Sequence, residues 1–188
     1  MIKIVTVFGT GKAKPGDADY ANAEQLGRLL AEAGYSIANG GYGGTMEASA
    51  KGATQAGGEA TGVTCLAFGS GSTRLTTGGA ANKYVSREIV TKTLDERLNK
   101  LIGLGDAYVV LAGGTGTLLE LAMVWELKNK GFISGVKPII ISGEYWGALL
   151  EMIKAYEPDS GRHLLLADSP EDVVKILKSH SRVTQDLK

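Results

Sequence analysis

Short apolar runs rich in β-branched residues alternate along the chain with longer stretches whose apolar positions recur every three to four residues. IKIVTVF (Ile2–Phe8) reads as the first strand. Asp17 to Ala33 follows as a helix, with Ala21, Leu26, Leu29 and Leu30 near one face, and Gly34 stands where a helix would stop. The pattern then predicts a strand at Tyr35–Asn39, a helix at Thr45–Ala56 ended by Gly57 and Gly58, and a strand over Ala60–Phe68. Phe68–Lys83 is rich in glycine and threonine and reads as a long loop, of the kind that in compact domains is usually functional or disordered. KYVSREIV is ambiguous, a short strand at most. A helix at Thr91–Leu104, a strand at Ala107–Ala112, a helix at Thr117–Lys130 and a strand at Lys137–Ser142 continue the series. A helix at Tyr145–Tyr156 and a short strand at His163–Ala167 follow. Ser169 and Pro170 open a last helix to about Ser179, with proline at the first position, where its missing N–H costs nothing.

Strand–helix alternation of this kind predicts an α/β fold: a Rossmann-like, doubly wound, mainly parallel sheet with helices on both faces. The middle strands are nearly continuous apolar runs, as strands covered on both faces should be. Neither a linker nor a repeat of 20–50 residues interrupts the pattern. Residues 1–180 are expected to form a single nucleotide-binding domain, and 181–188 a polar C-terminal tail.

Composition narrows the functions available. Twenty basic and twenty acidic residues give zero formal charge, so no general attraction to nucleic acid or a membrane surface is expected. A single cysteine, Cys65, excludes an intrachain disulfide and a CxxC metal site, and its apolar surroundings predict a core thiol. His163 and His180 lie far apart in sequence and far from the glycine loops, so no metal site is expected. No run of eighteen apolar residues is present, and MIKIVTVFGT reads as a strand rather than a leader, so a cytoplasmic chain is expected.

The chemistry is written in the placement of glycine. Three strands end in glycine-containing turns that lead to helices: FGTGKAKPGD (Phe8–Asp17), NGGYGGTME (Asn39–Glu47) and AGGTGTLLE (Ala112–Glu120). In an open α/β sheet such turns lie outside the carboxyl ends of the strands, so all three are expected to line one crevice. Glycine lets a turn aim successive N–H groups at one point, and a helix N-terminus adds unsatisfied donors and the positive end of its dipole. A phosphate is the simplest ligand for that arrangement, held by Gly40, Gly41, Gly43, Gly44 and Thr45 and by Gly113, Gly114, Thr115, Gly116 and Thr117. Gly9, Thr10 and Gly11 are further candidate contacts. No GK[ST] follows the glycines, so neither loop is a Walker A motif, and G-x-G-x-x-G is not matched. A mononucleotide phosphate therefore fits better than a dinucleotide. Glu120, one turn into an apolar helix, is placed to face the ligand, and Arg97 precedes the strand that feeds the same loop.

DERLNKLIGLGDAYVVLAGGTGTLLE resembles the LOG family, phosphoribohydrolases that release free cytokinin from its riboside 5′-monophosphate. The matching positions are Arg97, Asp106, Gly113, Gly114, Gly116, Thr117 and Glu120, and GGYGGTM resembles the family's earlier glycine motif. Ala112 stands where the family has proline, Leu98 where lysine follows the arginine, and Leu119 where an acid precedes the glutamate. The wider superfamily includes molybdenum-cofactor carriers and proteins labelled possible lysine decarboxylases. The resemblance implies hydrolysis of the N-glycosidic bond of a nucleoside 5′-monophosphate, without a cofactor, to free base and ribose 5-phosphate. Glu120 would then stabilise the ribosyl cation and orient water, with Arg97 either binding phosphate or ribose or fixing Glu120 by a charge-assisted bond, and Thr91 to Leu94 near the base. The alternative is a non-catalytic nucleotide or molybdenum-cofactor carrier that uses the same loops. The resemblance also implies a homo-oligomer, with Trp125 either at the interface or, as the favoured reading, in the core.

Overall fold

AYVV and the three isoleucines of IIIS are uninterrupted, largely apolar runs, and both segments become strands buried along their whole length. The computed structural model describes residues 2–69 and 80–186. Its strands are β1 (Ile4–Phe8), β2 (Ser36–Asn39), β3 (Ala60–Cys65), β4 (Arg87–Thr91), β5 (Ala107–Val110), β6 (Ile139–Ser142) and β7 (Leu164–Ala167). They form one parallel sheet in the order β4-β3-β2-β1-β5-β6-β7. The helices are α1 (Ala18–Glu32), α2 (Thr45–Gln55), α3 (Leu94–Leu104), α4 (Thr115–Asn129), α5 (Gly147–Tyr156) and α6 (Pro170–Asp186).

Each face of the sheet has its own core. On one, Leu26 and Leu30 of α1, Ala50 and Ala53 of α2 and Val173 and Leu177 of α6 pack on Val5, Ile37 and Val109. On the other, Leu101 of α3, Leu121 and Val124 of α4 and Leu150 of α5 pack on Phe8, Tyr108 and Ile141. The fold is thus the doubly wound α/β architecture the alternation predicts. Helices α1 and α2 approach so closely that a Cβ on Gly27 would enter the backbone of Ser49, and one on Gly52 that of Glu24. The chain winds outward from β1 in one direction and from β5 in the other, so strand order reverses between them. Their carboxyl ends are where such a fold opens a ligand crevice.

Several boundaries depart from the pattern: β3 ends at Cys65, with Leu66–Gly69 turning as a 3-10 helix rather than extending the strand to Phe68, and α5 starts at Gly147 rather than Tyr145. Thr91 ends β4 rather than starting a helix; α3 begins at Leu94, after Thr93, whose hydroxyl accepts the Glu96 N–H (3.2 Å) while Glu96 accepts the Lys92 N–H (2.8 Å). This reciprocal capping fixes the start that apolar period alone put too early. Helix α4 starts at Thr115, inside the glycine loop. Helix α6 continues past Ser179 to Asp186, so the segment expected as a tail is helical that far. KYVSREIV yields β4, an edge strand paired only with β3, whose charged residues hid it. Cys65 is a buried free thiol, and Trp125 is buried with its indole N–H donated to the Ser160 carbonyl (2.7 Å). The predicted loop Phe68–Lys83 falls largely outside the described residues.

Candidate ligand-binding crevice

The first loop leaves β1 and is stitched down on both sides. The Thr10 N–H donates to the Ala112 carbonyl at the end of β5 (3.2 Å). The Thr10 carbonyl accepts both the N–H (2.8 Å) and the hydroxyl (3.0 Å) of Thr45 at the start of α2. Gly44, at φ +69°, adopts the left-handed conformation that lets α2 begin there, and a Cβ on it would collide with the Thr10 carbonyl. The second loop is thereby a support beneath the first. It is fixed in turn by Asn39, whose side chain accepts the Gly41 N–H (2.9 Å) and donates to the Met46 carbonyl (2.9 Å). Asn82 donates to the carbonyls of Gly41 (3.0 Å) and Tyr42 (2.9 Å).

Between the first loop and the start of α4 lies a cavity of about 430 Å³. Of the residues marked in the sequence, Gly9, Thr10, Gly11, Leu94, Arg97, Gly114, Thr115, Gly116, Thr117 and Glu120 line it. Gly40, Gly41, Gly43, Gly44, Thr45 and Gly113 are not among its lining, and Thr45 faces a separate small cavity with Leu111, Ala112 and Ser142. Gly40 leaves room for the Arg97 guanidinium, and Gly113 for the Thr117 side chain. The second loop reaches the cavity through Tyr42 and Met46 instead. Lys12, Tyr42, Met46 and Phe68 therefore line the site without having been singled out in the sequence. An aromatic residue inside GGYGG was an available signal, whereas nothing in GKAKPG separates Lys12 from Lys14. Asp106 lies at the opposite end of the sheet, where its carboxylate accepts the N–H groups of Lys3 (2.9 Å) and Ile4 (3.1 Å) and anchors the start of β1.

Helix α4 opens with Gly114 as an N-cap that makes no side-chain hydrogen bond. The first N–H groups of any helix have no partner within it, and here they belong to a stretch, Gly114 to Thr117, that lines the cavity. Among the described residues, a Cβ on Gly114 or Gly116 would meet no atom of another segment within 4 Å, and neither residue has positive φ. Neither close packing nor a left-handed backbone among the described residues calls for glycine at these two places. It leaves the cavity floor open to close approach.

The polar centre is Arg97 with Glu120, 6% and 8% exposed. The Arg97 Nε–H donates to the Val63 carbonyl of β3 (2.8 Å), and Nη2 donates to the Gly40 carbonyl beyond β2 (3.2 Å). Nη1 lies 3.6 Å from Glu120 Oε1, an ion pair longer than a charge-assisted hydrogen bond. The rings of Tyr42 and Phe68 each sit 5.5 Å from the guanidinium carbon, at cation–π distance. The Tyr42 hydroxyl is locked onto Cys65, accepting its N–H at 2.7 Å. Burial pushes the Glu120 carboxyl up to about 7, against the opposing pull of Arg97. Leu94, Leu98, Leu119 and Met46 supply the apolar part of the lining. Among the described residues, no group of three or more His, Cys, Asp or Glu side chains could hold a metal, and no helix is long and apolar enough to cross a membrane.

The profile of the SLOG cluster4 family matches residues 2–174. An uncharacterized protein of Archaeoglobus fulgidus is 29% identical over 143 residues, 76% of this chain and 87% of the relative. The molybdenum cofactor binding protein of Rippkaea orientalis has a similar structure, with a TM-score of 0.72 and 28% identity, covering 95% of this chain and 97% of that one. The molybdenum cofactor carrier protein of Chlamydomonas reinhardtii also has a TM-score of 0.72, at 22% identity, covering 97% and 99% of the two chains, a likeness of fold.

Proposed function

The chain belongs to the SLOG cluster4 family, and on that premise we propose that it binds a small phosphate-bearing heterocyclic ligand, a nucleotide or a pterin of the molybdenum-cofactor kind, as a carrier or sensor. The observation that carries this reading is the pair Gly114 and Gly116, glycines with no internal reason to be glycine, at a helix start that lines the cavity. Backbone N–H groups there would take the phosphate, with the hydroxyls of Thr115 and Thr117 beside them. Tyr42, Met46 and the leucines would flank the heterocycle. The Rippkaea orientalis protein, named for molybdenum cofactor binding, lends weight to the carrier. So do Leu98 and Leu119, apolar where the LOG pattern has charged residues.

A second reading, hydrolysis of a nucleoside 5′-monophosphate, is favoured by one feature: Glu120 is a buried carboxyl in the cavity with no hydrogen bond from the protein among the described residues. Its carboxylate would stabilise the ribosyl cation and orient the attacking water. Calorimetric titration with AMP and with a pterin phosphate, paired with chromatography for released base, separates the two. A carrier is expected to bind wild type and Glu120→Gln alike and to release no base. Release by wild type that rises with pH through about 7 and is absent from Glu120→Gln would establish the hydrolase. Failure of every phosphate compound to bind would overturn both.

A further inference from the structure

Among the described residues, two cations line the crevice, Arg97 and Lys12. The guanidinium of Arg97 is already spent. Its Nε and Nη2 hold carbonyls of two different chain segments, its Nη1 faces Glu120, and aromatic rings lie against it. Turning toward a ligand would orphan the Val63 and Gly40 carbonyls in a buried setting, an unfavourable exchange. Above about pH 7 the Glu120 carboxylate also offsets the charge of Arg97. Lys12 has none of these ties. It is exposed on the first loop, its backbone N–H is fixed by the Thr10 hydroxyl (3.1 Å), and its ammonium has no carboxylate partner among the described residues.

We propose that Lys12 is the side chain that supplies the counter-charge to the ligand's anion, and that Arg97 is a positioning residue that never touches it. This rests on the phosphate-binding reading above. Lys12 on the first loop and the start of α4 line the same cavity, so an ammonium and a helix N-terminus are both offered to one anion bound there. Arg97 instead ties the ends of β2 and β3 together and presents Glu120 to the same space.

The test uses inorganic phosphate and AMP as probes, titrated at several salt concentrations against the full chain and four variants. Lys12→Met is expected to weaken both probes about tenfold and to flatten the salt dependence. Lys14→Met, two residues along the same exposed loop, is expected to match wild type. Arg97→Lys and Arg97→Met are expected to bind phosphate within about twofold of wild type while shifting the Glu120 titration, upward in the methionine variant. Unchanged affinity in Lys12→Met, with wild type binding both probes, overturns the proposal and leaves the phosphate site standing. A tenfold loss in a folded Arg97→Lys also overturns it. If wild type binds neither probe, the phosphate reading itself falls, and the role of Lys12 with it.

Discussion

Glu120 exchanges stability for a chemically useful carboxyl. In the fold its carboxyl titrates at about 7 against an ordinary 4.5, because burial disfavours the charge more than Arg97 supports it. A raised carboxyl contributes stability that is fully present below its unfolded pKa and is lost as pH rises through the folded value. Glu120→Gln removes the titration and keeps the shape. The variant is expected to match wild type near pH 4.5 and to exceed it at pH 8, by up to about 3 kcal/mol. Urea denaturation of the pair at both pH values measures this, and equal gaps would locate the burial cost elsewhere. Glu120 and Arg97 were legible in the sequence because a charged residue near an apolar run or a glycine turn stands out there. Tyr42, Met46, Phe68 and Lys12 were not, since their approach to the cavity depends on how Thr45 and Asn82 dock two loops distant in sequence.

At the scale of elements, the glycines divide by what an added methyl group would meet. Gly116 lies within α4 with open space beside it, so Gly116→Ala should gain helix stability of about 0.5–1 kcal/mol while weakening ligand binding. Gly44→Ala should do the reverse of stabilise: the left-handed backbone and the Thr10 carbonyl both oppose it, and a loss of about 2 kcal/mol or more is expected. Thermal melts and titrations of the two variants check the opposite signs. Sequence reading treated both loops as one design, because glycine pairs look alike in a string of letters. The distinction between a support and a ligand-facing floor needs the distances. Strand prediction succeeded where both faces are buried, as in β5 and β6, and faltered at β4, whose charged edge residues break the apolar run.

Over the whole molecule the sheet separates two cores that share few side chains. Val124 of α4 and Val173 of α6 are fully buried on opposite faces. Each Val→Ala change is expected to cost about 2 kcal/mol, and the double variant should lose the sum within about 0.5 kcal/mol. A denaturant series on the two singles and the double decides it, and a clear departure from additivity would mean the sheet transmits packing strain between its faces. The two-sided plan was legible from the strand–helix alternation alone. The close approach of α1 to α2 was not, since Gly27 and Gly52 read as weak points in helices until each is seen facing the partner's backbone.

The first loop is gripped from behind by Thr45 and Ala112, while much of the cavity's apolar lining comes from side chains on other segments: Tyr42, Met46, Phe68 and Leu119. Main-chain donors have no side-chain identity to mutate. An inheritance of changes at those four positions could thus exchange one ligand for another without dismantling the anchor. On the proposed binding function, the crevice would be a socket with replaceable contacts, and a change of ligand would need only a handful of point changes.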